Sequence, residues 1–329
     1  MAIKIIQAGL FTTVQDLGRK GYESYGFSPA GAMDYKAHTL ANSLVGNDSK
    51  EATLEMTLRG IEFLVTSKTT MATAGADMEL TINDVPYPIG KAIDLNEGDK
   101  VVFGGVKNGA RTYLAFNGGI DLERELDSYA THTRSGIGGY KGRALKAKDV
   151  LKIVGGPADG LLKEVVKEDS EPTEIRFIFG QQKNRFDKEN IEKFISEEYT
   201  FTKDSDRMGA RLEGEPIVAQ EGHDILSEPT QFGSIQIPKN GQPIILLADR
   251  QTAGGYTKIG TVIKVDLPVI AQKKPGEKII FRAVSIEEAE NLYKESLQEL
   301  DEEKDLIASN DFKTVRRIDA MSVSTLIGG

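Results

Sequence analysis

The sequence predicts a mainly β fold built from two halves. Short apolar runs with β-branched residues recur along the chain and are separated by glycine turns, a pattern typical of sandwiches and barrels. Helical patterns are few. A polar stretch over residues 162–173 has the composition of a linker and separates the halves.

The candidate strands follow the apolar runs in chain order. The first covers residues 1–6, whose apolar run is too short for a signal peptide. The others cover residues 61–65, 110–116, 150–154, 175–179, 244–247, 262–265 and 279–281. Residues 96–103 resemble residues 274–281, since each combines a turn of glycine, acid and lysine with an apolar strand. This similarity favours an internal duplication.

Three segments predict helices. The first ends at Gly46, the second begins at Asp187 as its cap, and the third begins at a capping box of Ser285 and Glu288. One face of the first helix carries Met33, Ala37, Leu40, Ala41 and Leu44. The third helix is strongly acidic, which indicates either a solvated face or a contact for a partner.

Composition narrows the classes of function. The chain of 329 residues has room for two domains and a large core. It has no cysteine and three widely separated histidines, so we expect no disulfide, no thiolate nucleophile and no bound metal. No apolar run is long enough to span a membrane, and no basic stripe indicates a nucleic-acid surface. We therefore expect a cytoplasmic protein without a membrane or nucleic-acid partner.

The strongest chemical signal lies between residues 117 and 143. Asn117 follows an apolar strand, and six glycines come between it and Arg143. Glycines let the backbone approach a bound group and expose N–H donors, and Arg143 offers a forked cation for a carboxylate, phosphate or bicarbonate. We predict a binding site that includes Gly138 and Gly139. A tight barrel corner is the alternative.

Two polar groups in the second half are further candidates. In the first, Arg207 and Arg211 lie four residues apart near Ser205 and Asp206, so they either hold an anion or form a surface salt-bridge network. The second group follows an apolar strand and comprises Asp249, Gln251, Thr252 and Tyr256. Polar residues at the mouth of a barrel strand are held rigidly, as a site requires.

Three residues of the first half have competing interpretations. Asp16 and Arg19 lie in a polar patch that is either an edge of the pocket or partner interface, or a turn held by their ion pair. Asp34 is interpreted as a helix cap in preference to a catalytic acid. His132 is interpreted as an exposed loop histidine outside the site.

The glycine-rich window and three further segments resemble the allophanate hydrolase subunit 2 family, also called the KipA or biotin-dependent carboxyltransferase family. These segments lie at residues 9–42, 205–214 and 227–281, and they include the strings TVQD, SDRMG and GGY. Two positions depart from the family pattern and bear on substrate preference. Residues 130–131 are Ala-Thr instead of Ser-Thr, and residues 257–260 are TKIG instead of PKIA.

The resemblance implies two cyclophilin-like β-barrel domains with a few short helices, at residues 1–160 and 174–310, and a peripheral tail at residues 311–329. It also implies three roles. The first is a subunit of an ATP-dependent 5-oxoprolinase, and the second is half of a carboxyltransferase that moves carboxylate from carboxybiotin to urea or a related amide. The third is a KipA-like antagonist of an inhibitor of a histidine kinase. All three involve a KipI-like partner (allophanate hydrolase subunit 1), and the first can add a LamB/YcsF-like subunit.

The 5-oxoprolinase subunit is our choice among these roles, because the chain carries no biotin carboxylase module and no biotinyl segment. It also has no G-x-x-x-x-G-K-[ST] loop, so ATP is expected to be used through the complex. Biotin is a cofactor only under the carboxyltransferase alternative. On this hypothesis a small amide substrate binds where all the candidate residues converge. The catalytic residues are Arg143, Arg207, Asp249 and Tyr256, and the substrate-binding residues are Asn117, Gly138, Gly139, Arg211 and Gln251.

Overall fold

The computed structural model describes residues 1–158 and 173–309, which form two β-sheets and four α-helices. The mainly β class predicted from the sequence is confirmed. The peripheral tail at residues 311–329 and all but the last residue of the expected linker lie outside the described residues. None of the helices in the two described ranges combines the length and apolar character needed to cross a membrane.

The first half is a curled sheet with the shape of a half-barrel. Its elements are β1 (Ala2–Gln7), β2 (Phe11–Gln15), α1 (Tyr35–Leu44), β3 (Thr53–Thr57), β4 (Glu62–Val65), β5 (Thr69–Ile82), β6 (Val85–Tyr87), β7 (Ala92–Leu95), β8 (Lys100–Phe116) and β9 (Val150–Lys152). The strands pair in the order β2-β3-β8-β4-β1-β9, and β5 adds to β8 and carries β6 and β7. The long strands β5 and β8 therefore hold this half together.

Alternating apolar residues give the first sheet its core. Ile3 and Ile5 of β1 are buried beside Phe63 of β4 and Phe116 of β8. The two phenylalanine rings meet edge to face, with 5.9 Å between their centroids. Each side chain of this kind contributes roughly 2 kcal/mol through burial, so the packed face fixes which residues point outward.

The second half is a closed barrel. Its elements are β10 (Glu174–Phe179), α2 (Lys188–Ser196), β11 (Glu198–Phe201), β12 (Gly209–Glu213), β13 (Asp224–Pro229), β14 (Ser234–Ile237), β15 (Ile244–Leu246), β16 (Ala253–Val262), α3 (Leu267–Gln272), β17 (Lys278–Ala283) and α4 (Ile286–Ser309). The strands pair in the order β10-β17-β11-β12-β15-β14-β16. Since β10 also pairs with β16, these seven strands close, and β13 lies outside them on β16.

Aromatic side chains fill the barrel. The rings of Phe194 and Phe281 stack with 4.5 Å between centroids, and Phe177 meets both rings edge to face. Met33, from the first half, packs into the same core. The two halves thus share apolar contacts as well as polar ones.

The predicted strands correspond to observed strands, with one error. The strand predicted at residues 262–265 is wrong, because β16 ends at Val262 and a 3-10 turn spans Lys264–Asp266. The N–H of Arg176 donates to the Asp266 carboxylate at 2.7 Å, and the Arg176 guanidinium pairs with it, which ties this turn to β10. The sequence analysis also missed α3, whose six residues are too few for a periodic pattern.

The predicted helix starts are observed, with one change. Asp187 caps α2 by accepting from the N–H of Asn190 at 2.8 Å. At the start of α4, the N–H of Glu288 donates to Ser285 Oγ at 3.0 Å. The carboxylate of Glu288 instead pairs with Arg282, so only half of the capping box forms.

The two halves share a turn that supports an internal duplication. In the first half, the N–H of Asn96 donates to the Asp99 carboxylate at 2.8 Å, and Gly98 has a positive φ of 88°. In the second half, the N–H of Lys274 donates to the Glu277 carboxylate at 2.8 Å, and the glycine at residue 276 has a φ of 92°. Each turn leads into an equivalent strand.

Helix α4 packs on both halves. Near its start, Ala289 lies against Ile263 and Val284 of the second half. Near its end, Ile307 is buried in a cluster with Leu40 of α1. The acidic side chains point away from these contacts, as expected for a solvated face.

Candidate functional site

Arg207 lies at the junction of the two halves and is almost fully buried. Its guanidinium donates to both oxygens of Asp249 at 3.0 and 2.8 Å, and to the carbonyl oxygen of Gly31 at 2.7 Å. Its Nη1 donates to Glu55 of β3. Burial alone would lower the pKa of Arg207, but Asp249 and Glu55 together raise it. One cation thus bridges two buried carboxylates from different halves.

Glu55 is held as a buried anion. Its second oxygen accepts from the N–H of Met33 at 2.9 Å and from the hydroxyl of Tyr113 at 2.7 Å. Burial alone would raise the pKa of Glu55, but Arg207 and Arg111, with these hydrogen bonds, hold it below its ordinary value. The same surroundings raise the pKa of Tyr113, first through burial and then through Glu55, so the phenol stays protonated.

Gln272 extends this network across the junction. Its Nε2 donates to Asp34 at 2.8 Å, and its Oε1 accepts from the N–H groups of Ala110 and Arg111 at 3.0 and 2.9 Å. Asp34 also accepts from the N–H of Ala37 at 2.9 Å, which confirms its predicted role as the cap of α1. Burial raises the pKa of Asp34.

The predicted arginine pair does not form an anion site. Asp206 accepts from the N–H groups of Met208 and Gly209, so it does not orient Arg207. Asp249 and Glu55 occupy the Arg207 guanidinium instead. Arg211 is exposed on β12, where its N–H donates to Ser205 Oγ. The structure therefore brings together Arg207 and Asp249 but leaves Arg211 apart from them.

The glycine-rich loop packs tightly against Arg19. Gly138 has a φ of 69°, and a Cβ there would lie 2.2 Å from the Ala130 carbonyl oxygen and 2.7 Å from Arg19 Nη2. A Cβ on Gly139 would lie 1.9 Å from Thr131 Oγ1. These glycines are needed for close packing, and the N–H of Gly138 is used by Glu125 at 2.8 Å. The tight corner given as the alternative accounts for these contacts.

Arg19 and Asp16 do not form the predicted ion pair. Arg19 is buried and donates to the carbonyl oxygens of Ala130 at 2.5 Å and Ser28 at 3.5 Å. Asp16 accepts from the N–H of Gly18 and from residues 128 and 129. Both groups instead join the N-terminal loop to the glycine-rich loop.

Four loops meet at the junction, and we call residues 18–31, 128–139, 205–209 and 248–251 the seam. The Ser28 hydroxyl donates to the carbonyl oxygen of Ala248 at 3.2 Å. Arg134 Nη1 lies 3.1 Å from Met208 Sδ. The seam thus gathers the predicted residues Gly138, Gly139, Arg207, Asp249 and Gln251 from the two halves of the sequence.

Amide side chains crowd around Gly254, just beyond the seam. A Cβ on Gly254 would lie 2.5 Å from Gln236 Nε2, 3.2 Å from Thr230 Cγ2 and 3.3 Å from Gln251 Nε2. Gln236 is buried, and its Nε2 has no hydrogen-bond partner among the described residues. These amides are free to donate to a small polar ligand.

Three predicted site residues lie outside the seam. Tyr256 is partly exposed on β16, opposite Asp224 of β13. Asn117 donates to the carbonyl oxygen of Val45 at 2.8 Å and so fixes a turn. Arg143 donates to both oxygens of Asp149 at 2.7 and 2.8 Å. The anion expected at Arg143 is therefore a carboxylate of the chain itself.

The Arg143–Asp149 pair predicts a small, pH-dependent effect. Arg143→Ala is expected to lower the free energy of unfolding by about 1 kcal/mol, because the pair is partly exposed. The hydrogen bond from Arg143 is the main cause that lowers the pKa of Asp149 below its ordinary 3.8. The contribution is therefore present above that value and is lost as the pH falls through the lower pKa of the folded state. Urea unfolding at pH 7 and near pH 3 measures both effects, and an equal loss at both pH values would contradict this explanation.

The histidines do not form a metal site. His132 was expected to be exposed, but it is buried, because its N–H pairs with Ile137 and its Nδ1 lies 2.8 Å from Ser135 Oγ. Over residues 1–158 and 173–309, no group of histidine and acidic residues is placed to hold a metal ion.

The sequence analysis missed two groups at the junction. Glu55 lies between Leu54 and Met56 in β3, where an alternating pattern predicts an outward side chain. Arg250 lies beside the candidate Asp249 and is buried, yet nothing in its sequence neighbourhood separates it from a surface arginine. Only the meeting of the two halves identifies either residue.

Comparison with known proteins agrees with the resemblance seen in the sequence. A family model for the carboxyltransferase domain, subdomain A and B, matches residues 25–283. The 5-oxoprolinase subunit of Escherichia coli K12 that bears the letter C is 36% identical over 287 residues, which cover 87% of this chain and 93% of that protein. The 5-oxoprolinase subunit of Haemophilus influenzae with the same letter is 35% identical over 302 residues, which cover 91% and 97%.

A solved structure extends this similarity to a larger enzyme. The crystal structure of Kluyveromyces lactis urea amidolyase superposes with a TM-score of 0.85 at 29% identity, and the match covers 92% of this chain but 20% of that one. The chain thus corresponds to about a fifth of that protein. On this fold and these matches, the chain belongs to the carboxyltransferase domain family of subdomains A and B, and it is homologous to these two 5-oxoprolinase subunits and to the corresponding domain of urea carboxylases.

Proposed function

We propose that the chain is a subunit of an ATP-dependent 5-oxoprolinase, which opens the lactam of 5-oxoproline to give glutamate. The observation that carries this proposal is the extent of the similarity. The chain matches 93% and 97% of two proteins named as 5-oxoprolinase subunits, against 20% of the urea amidolyase chain. A match to a whole subunit favours the function of that subunit.

The seam and its border supply chemistry suited to a small cyclic amide. Donors that face a carbonyl oxygen stabilise the negative charge that develops on it when the carbonyl carbon is attacked. Gln236 and Gln251 place two amide nitrogens beside Gly254 for this role. The rigid pair of Arg207 and Asp249 holds the neighbouring segment in place.

The seam alone does not fit a nucleoside triphosphate. Two of its arginines are already occupied, since Arg207 binds carboxylates and Arg19 binds carbonyl oxygens. We therefore assign ATP binding to the complex as a whole. When bound there, ATP supplies the phosphate that activates the amide oxygen. We place this complex in the cytoplasm, where ATP is available.

The proposed partners are a KipI-like protein and a LamB/YcsF-like subunit. We expect the chain to co-purify with the KipI-like protein and to release no glutamate by itself. With both partners, 5-oxoproline and ATP, the complex should release glutamate. The control omits this chain and keeps both partners. Glutamate release that is equally fast without the chain would exclude its role as a subunit of the enzyme.

A carboxyltransferase function is the second candidate. It is favoured by the description of the family and by the match of 92% of the chain to urea amidolyase. Under this function, the carboxyl group would arrive on biotin carried by another protein, and the acceptor would be urea or a related amide. Bicarbonate-dependent carboxylation of urea by a complex that contains this chain would support it.

A further inference from the structure

Arg250 is a buried arginine of the seam that the structure leaves unpaired. It is 8% exposed, and its Nε is buried without a hydrogen-bond partner among the described residues. Arg207 and Arg19, the other buried arginines of the seam, bind carboxylates and carbonyl oxygens. Glu23 supplies the attractive charge near the Arg250 guanidinium, yet within the described ranges the two groups form no ion pair.

This arrangement is unfavourable without a ligand. A cation removed from water without a counter-charge destabilises the folded state. Burial accordingly lowers the pKa of Arg250, and Glu23 opposes this effect only weakly. An anion that arrives at the guanidinium would gain a charge-assisted pair and compensate the buried charge. The planar fork of arginine favours a carboxylate for this pairing.

The segment that carries Arg250 is fixed in position. On one side, Asp249 is clamped by Arg207. On the other side, the Arg250 N–H donates to the Leu247 carbonyl oxygen at 3.1 Å, and Ser28 holds the carbonyl oxygen of Ala248 at 3.2 Å. Gln251, the next residue, lies beside Gly254 with the unpartnered amide of Gln236. Among the described residues, a cation and amide donors are thus adjacent along one rigid segment.

We propose that Arg250 binds the carboxylate of the substrate and that the neighbouring amides receive its lactam oxygen. This inference rests on the proposed function, since 5-oxoproline carries a carboxylate beside its lactam ring. The same chemistry has a second source under the carboxyltransferase alternative, namely bicarbonate or a transferred carboxyl group. Urea itself has no carboxylate and would leave Arg250 unpaired.

The test measures ligand binding to the reconstituted complex by calorimetry, with 5-oxoproline, with 2-pyrrolidinone, which lacks the carboxylate, and with bicarbonate. The wild-type complex is expected to bind 5-oxoproline about tenfold to a hundredfold more tightly than 2-pyrrolidinone. Arg250→Met should bind both lactams equally weakly. It should also melt at the same or a higher temperature, because an unpaired buried charge has been removed. Arg59→Met, at an exposed arginine, should retain the wild-type preference.

Each other outcome has a definite meaning. If Arg250→Met retains the preference for 5-oxoproline, the proposal is overturned, whether the variant is destabilised or fails to bind its KipI-like partner. The absence of binding to any of the three ligands by the wild-type complex also overturns it. If bicarbonate alone binds and Arg250→Met abolishes that binding, the carboxylate site stands and the 5-oxoprolinase function fails.

Discussion

Replacement of Arg207 by methionine is expected to lower the free energy of unfolding by about 3–5 kcal/mol, the scale for removing one partner of a buried ion pair. The variant leaves Glu55 and Asp249 buried without their shared cation. It also removes the donor to the Gly31 carbonyl oxygen, so contacts between the halves weaken. Urea unfolding of the isolated chain measures the loss. The network explanation would be wrong if the variant were as stable as wild type.

Arg211→Met is the matched control for this prediction. Arg211 is exposed and lies four residues farther along the same segment, so its loss should change the unfolding free energy by no more than about 0.5 kcal/mol. Adding Glu55→Gln to Arg207→Met should restore part of the lost stability, because one of the two unpaired charges is then removed. A further loss in the double variant would contradict the charge argument.

The same pair of proteins has an expected pH dependence. The pKa of Glu55 is lowered in the folded chain, so its pairing stabilises above its ordinary value of 4.5 and is lost as the pH falls through the folded value. In Arg207→Met the main cation is gone, so acid should cost this variant less. The gap in stability between the two proteins should therefore narrow below pH 4.5. A gap that stays constant down to the acid transition would show that Glu55 is not the responsible group.

Gly138→Ala is expected to have the second large effect, through the glycine-rich loop. The alanine would adopt a φ of 69°, and its Cβ would lie 2.2 Å from the Ala130 carbonyl oxygen. Left-handed backbone costs about 1–2 kcal/mol for alanine, and the steric overlap adds about 1–3 kcal/mol. Because Arg19 lies against the same position, the seam should be displaced and the activity of the complex should fall.

Gly136→Ala separates the two terms of this prediction. Gly136 has a φ of 67°, and a Cβ there meets nothing within 4 Å. Its substitution should therefore cost the backbone term alone, and the difference between the variants isolates the overlap at Gly138. Unfolding in urea gives both values. Equal destabilisation of the two variants would mean that the loop moves away without cost.

The fold was largely predictable because it depends on local patterns. Alternation of apolar residues identifies strands such as β10, and the caps at Asp34 and Asp187 identify helix starts. The error at residues 262–265 has a long-range cause, since Asp266 is bound by Arg176, 90 residues earlier. An ion pair at that separation leaves no periodic signal.

The candidate site was predictable only in part. The sequence placed Arg207 and Asp249 among the candidates, and they do meet. It could not indicate that Glu55, 152 residues before Arg207, occupies the same guanidinium and turns a supposed anion site into a structural clamp. Arg143 was a different case, because its partner Asp149 lies only six residues away and an ion pair at this spacing could have been considered.

The most direct test of the proposed function is the dependence of the reconstituted complex on bicarbonate. With 5-oxoproline and ATP, in buffer free of bicarbonate and biotin, ADP and glutamate are measured as they appear. A 5-oxoprolinase predicts that both are released together at the full rate and that the rate falls to background when this chain is omitted. Glutamate release that requires added bicarbonate and a biotinylated protein would contradict the proposal and establish carboxyl transfer as the function of the chain.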